Sequence, residues 1–272
     1  MKNKTLIYQV KLNLNNTISN LYEWCTGSVK EYAKRIGSDY ICQKDPTLNI
    51  LPKNRKESNR SDNVHKLGLL PIFEKENAFT YLKDYDSVCI IDADIFVRPN
   101  SPNIFENQLS EDYSFGGVLE CEMPITEKYR QKILAYSKGQ YTSLAPKIKG
   151  WNWDSRFGFP FWNMGLMLMN KSFETYLNGM TPKEFLEQEQ FKGFVDGKEH
   201  WKWSTDQTLL NYWIRKEQMK TKNLDWRFNA LYRGVEESKI KSAHFVHFFL
   251  KDHLPNRGEN IRELSKLIGE TI

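Results

Sequence analysis

The run Ser87-Val88-Cys89-Ile90-Ile91 has no polar alternation and stops abruptly at Asp92-Ala93-Asp94. An apolar run without alternation is a strand covered on both faces, which requires a sheet with helices packed on each side. In open α/β sheets ligands bind beyond the carboxyl ends of the strands, and the two carboxylates fall at that point. Upstream, Thr5 to Val10 alternates as a strand. Ser19 to Ile36 places Leu21, Trp24, Val29, Tyr32, Ala33 and Ile36 at helical spacing before Gly37, and Ser38 to Cys42 follows as a second strand. That β-α-β opening predicts parallel pairing, because parallel strands need a crossover.

The rest of the chain reads as one α/β domain. Gln43 to Asn63 is a polar loop, and Val64 to Leu82 is helical with an interruption at Pro71. Residues 114 to 119 and 161 to 169 are strands, 125 to 141 is mostly helical, and Thr181 to Gln190 and Asp206 to Lys216 are helices. Phe245 to Leu250 is a late strand and Ile261 to Ile268 a closing helix. The apolar face of that helix (Ile261, Leu264, Ile268) is too small to anchor on lipid and is expected to dock on the core. With 272 residues, 40% of them hydrophobic, the chain can bury a full core.

Charge excludes other classes. The net charge of +5 comes without a dense Lys/Arg stripe, and the one basic run, Lys53 to Arg60, is interrupted, so no nucleic-acid binding is expected. Nowhere do about 18 apolar residues run together, so no transmembrane segment is expected. The first residues lack the apolar core of a signal peptide, and Cys25, Cys42, Cys89 and Cys121 form no C-x-x-C pair. These features place the protein in a reducing cytoplasm, without structural zinc.

Three further segments carry chemistry-bearing residues. Asp92 and Asp94 could turn toward one point, as ligands of a hard divalent ion shared with substrate phosphates. Asp84-Tyr85-Asp86 has the same spacing but precedes the strand and reads as a polar turn. The strand Phe161 to Asn170 contains two misfits, Asn163 and Gly165, which read as a bulge with a satisfied amide or as close approach to a ligand. Ser204-Thr205-Asp206-Gln207 opens a helix, where an acidic residue favours the dipole and Gln207 is less expected. Five of the eight tryptophans lie between Trp151 and Trp203, forming either core or a sugar-stacking wall.

Taken in order, IIDADIFVRP (90 to 99), FWNMGLMLMN (161 to 170), TDQTLLN (205 to 211) and FVHF (245 to 248) resemble the GT-A glycosyltransferases, and most closely glycosyltransferase family 8, the glycogenin and galactosyltransferase-like group. The resemblance spans residues 88 to 251. It implies a GT-A-like, mostly parallel sheet flanked by helices in a single domain. A nucleotide-sugar half would cover residues 1 to 120 and an acceptor half 121 to 255, with a C-terminal helix at 256 to 272.

The resemblance also implies a Mn²⁺ (or Mg²⁺) held by Asp92, Asp94 and His247. His247 is preferred to His244 because the family's His follows two apolar strand residues and precedes an aromatic. Asn163 and Gly165 would lie beside the donor sugar, and Asp206 and Gln207 would face the anomeric carbon. Tyr8, Lys66 and Lys251 are the candidates for base and diphosphate contacts. The partners implied are a nucleotide-sugar donor, a UDP-sugar in the first instance, and a glycan or other hydroxyl acceptor, with transfer retaining anomeric configuration. The acceptor is assigned to the aromatic segment Trp151 to Trp162 and the loop with Trp201 and Trp203.

The sequence departs from the family after the His, where Gly and then Lys-Pro-Trp are expected and Phe249-Leu250-Lys251-Asp252 stands instead. Two rival readings are a haloacid-dehalogenase-like phosphatase, which also uses an Asp pair after an apolar strand, and a GT-A-like domain that binds nucleotide sugar without turnover.

Overall fold

The protein is described by a computed structural model covering residues 3–13, 19–52, 68–106, 110, 112–198, 200–201 and 206–271. In chain order the first half contains strand β1 (Thr5–Val10), helix α1 (Asn20–Ile36), β2 (Asp39–Gln43), a 3-10 helix (Pro71–Lys83), β3 (Ser87–Ile91), β4 (Ile95–Val97) and β5 (Phe115–Leu119). Next come α2 (Glu127–Tyr141), β6 (Trp162–Asn170), α3 (Pro182–Leu186), α4 (Lys192–Asp196) and α5 (Asp206–Lys216). The chain ends with β7 (Thr221–Asn223), β8 (Ala230–Leu231), α6 (Glu237–Ile240), β9 (Phe245–His247) and α7 (Ile261–Ile268).

Six strands form the main sheet in the order β2-β1-β3-β6-β5-β7. β1 pairs in parallel with β2 and β3, and β5 with β7, whereas β6 runs antiparallel to both its neighbours. Five strands therefore point one way around a single reversed one, so the sheet is mostly parallel, as the β-α-β opening predicts. α1 buries Leu21, Cys25, Val29, Tyr32 and Ala33 on one face. It ends at Gly37, whose left-handed φ of 69° lets its N–H cap two carbonyls of the last turn.

A second sheet, β4-β9-β8, lies beside the first. The chain crosses from β3 into β4 through Asp92-Ala93-Asp94, so the acidic pair is the hinge between the sheets. β9 pairs antiparallel with β4, placing His247 opposite Ile95, the residue just after Asp94. Arg98 locks this arrangement. Its guanidinium donates to the carbonyls of Ala243 (2.7 Å), Ile240 (3.1 Å) and Ile268 (2.8 Å) and pairs with Glu270, tying β4 to the ends of α6 and α7. Leu264 and Ile268 are fully buried, so α7 docks on the core.

Two elements are shorter than the sequence pattern suggests. The late strand ends at His247, where it pairs with the terminal residues Ile95 of β4 and Leu231 of β8, and Leu250, with a left-handed φ of 57°, bars any extension through it. The helix expected over Thr181 to Gln190 stops at Leu186, and Gln188 is extended at ψ 144° before a short 3-10 turn. Of the helix expected over Val64 to Leu82, residues 64 to 67 lie outside the described residues, 68 to 70 form a turn, and a 3-10 helix runs from Pro71.

Candidate metal and nucleotide-sugar site

Asp92, Asp94 and His247 each bring one ligand atom within 4.8 Å of the others. His247 Nε2 lies 3.2 Å from Asp94 Oδ1 and 4.0 Å from Asp92 Oδ2. Backbone bonds fix both ends of the hinge: Asp92 N donates to Gly165 O at 2.8 Å, and Phe248 N to Asp94 O at 2.9 Å. Gln9, wholly buried, donates from Nε2 to Asp92 O at 3.2 Å.

The imidazole orientation follows from a buried chain of amides. The Gly165 N–H donates to Asn163 Oδ1 at 3.0 Å, so Asn163 presents its oxygen on that side and its Nδ2 to Glu120 Oε1 at 2.7 Å. Asn229 then donates from Nδ2 to Asn163 Oδ1 at 2.9 Å, which turns its own oxygen to His247 Nδ1 at 3.0 Å. Nδ1 therefore carries a proton toward Asn229, and Nε2 is the nitrogen turned to the carboxylates, the one a metal ion would take in exchange for the proton it shares with Asp94. The chain ends where Tyr129 OH donates to Glu120 Oε2 at 2.9 Å.

Gly165 is required by the ring itself. A Cβ there would lie 2.4 Å from His247 Cε1 and 2.6 Å from Nδ1. The β5–β6 register shifts between Gly117 and Val118, so that Met164, Gly165 and Leu166 bulge from β5 while Leu166 stays paired with β3. Bulge and satisfied amide, one of the two readings of this strand, are both present. They serve to seat the imidazole.

Electrostatics bind the cluster further. Burial works to lower the His247 pKa, but the adjacent Asp94 carboxylate, helped by Asp92, outweighs it and holds the ring above its ordinary value. Burial works to raise Asp94, and the His247 ring reverses this and holds it below the usual carboxylate range. Lys75 completes the site. Its Nζ lies 2.8 Å from Asp92 Oδ1 and 2.8 Å from Asp206 Oδ2, and it donates to Met164 O at 2.9 Å. Burial alone would discharge this amine, but Asp206 and Asp92 keep it charged. Asp206, 2% exposed at the start of α5, is raised by burial against the pull of Lys75. Glu76, also fully buried, has no hydrogen-bond partner for either oxygen among the described residues, and burial beside Asp206 pushes it well up.

A slot of about 320 Å³ opens onto this cluster at the carboxyl ends of β1 and β3, lined by Val10, Leu12, Tyr22, Ile72, Lys75, Asp92 and Asp94 among others. Gln207, beside Asp206, accepts from Met164 N at 3.2 Å, and so faces the same bulge. Lys251 sits over the Tyr22 ring at 3.5 Å and donates to Ser19 Oγ at 3.2 Å, and burial lowers its pKa.

Tyr8 is elsewhere. It is wholly buried, its hydroxyl held by Gln43 and by Asn77 (3.1 Å), and Val10, Lys11 and Leu12 line the slot in its place. Lys66 and Trp203 lie outside the described residues. Trp151 and Trp162 are 3% exposed, packed among Tyr141, Phe159 and Phe115 with Arg215 over both, so they are core and present no face to an acceptor; Trp153 is 46% exposed. Lys75 was not found from the sequence. Its signal was available: in 72, 75/76, 79, 82 the helical apolar spacing places Lys75 and Glu76 on the buried face.

No protein-family model matches the chain, and no curated protein does. Solved structures match over nearly its whole length. A glycosyltransferase involved in the glycosylation of the major capsid of PBCV-1 is 13% identical with a TM-score of 0.52, over 96% of this chain and 99% of that one. The galactosyltransferase LgtC, in complex with donor and acceptor sugar analogs, is 13% identical with a TM-score of 0.51, over 97% of this chain and 95% of that one. The WbbM bifunctional glycosyltransferase is 10% identical with a TM-score of 0.51, over 92% of this chain and 46% of that one. The fold is that of the GT-A glycosyltransferases. Among the described residues no helix is long and apolar enough to cross a membrane.

Proposed function

We propose that the chain is a metal-dependent glycosyltransferase of the family 8 type, moving a hexosyl group from a UDP-sugar to a carbohydrate or other hydroxyl acceptor with retention. The observation that carries this reading is the convergence of Asp92 and Asp94, which line the slot, with Nε2 of His247, 3.2 Å behind Asp94 Oδ1. Two carboxylate oxygens and an imidazole suit Mn²⁺, and also Mg²⁺ with more of its waters retained. A divalent cation bound there supplies charge to offset the departing nucleoside diphosphate. Asp92, Asp94 and His247 would hold it, and Asn229 keeps the His247 proton on Nδ1.

Residues 1 to 120 form the donor half in this reading, with the diphosphate beside Asp92 and Lys75. Lys75, kept charged by Asp206 and Asp92, is a fixed cation in the slot and stabilises negative charge there without reorganising. Asp206 holds Lys75 in position, and with Gln207 faces the anomeric centre, where either can stabilise an oxocarbenium-like carbon. Tyr22 lines the slot, and Lys251 sits over its ring.

The test is release of nucleoside diphosphate from a panel of nucleotide sugars, with Mn²⁺ or with chelator, using Asp94→Ala as control. Metal-dependent hydrolysis of one donor, lost in the variant, is expected. Absence of both release and metal-dependent nucleotide binding would sink the reading. Hydrolysis of simple phosphoesters without nucleotide would favour the phosphatase, and nucleotide binding without turnover on any acceptor would favour the binding domain.

A further inference from the structure

The segment 247–253 separates the slot from a second, larger cavity of about 590 Å³. Its floor is aromatic. Tyr129 and Phe249 meet edge to face at 5.6 Å, and Tyr232 rests on Phe248 at 5.2 Å. Gly234 keeps this floor in place, since a Cβ there would lie 3.2 Å from Tyr129 Cδ1. Phe249 also packs against the His247 ring at 5.9 Å, and Tyr129 is the last link of the amide chain from that imidazole. One ring thus separates the cavity from the metal-ligand cluster.

The rim is mostly cationic, whereas the slot lining sets Lys11 and Lys75 against Asp92 and Asp94. Lys128 and Lys132, one turn apart on α2, and Arg233, in the turn after β8 with a left-handed φ of 68°, line the opening. Arg130 on the same helix is paired with Glu127, as Arg98 is with Glu270 and Arg227 with Asp225. Lys128, Lys132 and Arg233 have no carboxylate within ion-pair distance among the described residues, and Glu237 is the single acid in the lining.

We propose that this cavity is the acceptor subsite and that it selects an acceptor bearing a carboxylate or phosphate beside a ring or alkyl face. The anion lies among Lys128, Lys132 and Arg233, and the apolar face lies over Tyr129, Tyr232 and Phe249. This rests on the glycosyltransferase reading above, because the acceptor hydroxyl must reach the donor past Phe249. Aromatic faces suit sugar rings and alkyl chains alike, and exposed cations add attraction that salt screens.

The test is calorimetric binding to the full chain of 4-nitrophenyl β-glucuronide and of 4-nitrophenyl β-glucoside, which differ only in the carboxylate, with dodecyl phosphate as a lipid-like anion. In about 50 mM salt the glucuronide is expected to bind roughly tenfold tighter than the glucoside. That preference should vanish in Lys128→Ala/Lys132→Ala/Arg233→Ala. It should survive in Lys30→Ala/Lys34→Ala/Lys83→Ala, which removes the same charge from other exposed positions. Equal binding of the two glycosides, or a preference unchanged in the rim variant, would overturn the proposal. Tighter binding of dodecyl phosphate than of the glucuronide assigns the anion to a lipid phosphate, and the reverse order to an acidic glycan; both support it. UDP with Mn²⁺ is titrated separately. Loss of UDP binding in the rim variant would overturn the proposal, whereas a parent chain that discriminates the glycosides but does not bind UDP with Mn²⁺ would overturn the transferase reading and leave the anion site standing.

Discussion

The slot and the larger cavity share the wall at 247–253 and handle charge in opposite ways. At the slot Lys75, Asp206 and His247 are buried, Asp92 and Asp94 are half-buried, and all are matched: Lys75 lies between Asp92 and Asp206, and His247 beside Asp94. On the cavity rim Lys128, Lys132 and Arg233 are exposed, with no carboxylate at ion-pair distance among the described residues. A buried charge needs a partner or it destabilises the fold, while an exposed one is solvated with or without a partner. The slot is therefore committed to one geometry before any ligand arrives, and the rim is free to meet an anion.

Breaking a buried partnership should produce the largest effect. Lys75→Met leaves Asp206 and Asp92 without their cation, and is expected to cost about 3 to 5 kcal/mol of stability in denaturant unfolding. A loss under about 1 kcal/mol would mean that the slot charges are as solvated as the rim, and the contrast would fail.

The amide chain comes next. Asn229→Ala removes the acceptor on His247 Nδ1 and should weaken Mn²⁺ binding by roughly 10- to 100-fold in a titration, with the fold retained by circular dichroism. An affinity within about twofold of the parent would show that the tautomer is set elsewhere.

Proton linkage follows with its sign fixed. His247 is held above its ordinary value of 6.5, so in the metal-free protein its pairing with Asp94 stabilises the fold fully below that value and is lost as pH rises through the folded pKa. A cation must displace that proton, so Mn²⁺ affinity should fall about tenfold for each pH unit below the folded pKa. An affinity independent of pH between about 6 and 8 would exclude His247 as a ligand. The smallest effect belongs to Trp153→Ala, expected to stay within about 0.5 kcal/mol because the ring is half exposed. A large rise in acceptor KM in that variant would move the acceptor site from the cavity to the aromatic segment.

What was legible in the sequence was local. The alternation-free strand, its terminal carboxylates, the misfits Asn163 and Gly165, and Asp206-Gln207 at a helix start all stand out against a periodic background. Lys75 escaped because a lysine in a helix is ordinarily solvated, and only its place on the apolar spacing marked it as buried. The tryptophans around Trp151 were ambiguous for the same reason in reverse, since a ring that packs and a ring that stacks on sugar have one composition. Tyr8 looked like a base contact by its position on β1, yet it lies inside the sheet with its hydroxyl beside Asn77, and Val10, two residues on at the strand's carboxyl end, reaches the slot.

The sequence by itself determined the β-α-β opening, the central strand and the placing of carboxylates at its end, because these depend on periodicity and on neighbours along the chain. Only the tertiary structure decided that β9 would bring His247 onto Asp94, that Asn229 and Asn163 would set its tautomer, and that Lys75 would lie between two carboxylates. Those partners are separated by 17 to 153 positions in the chain, and hydrogen bonds and ion pairs act over a few ångströms of space, a distance that sequence order does not encode.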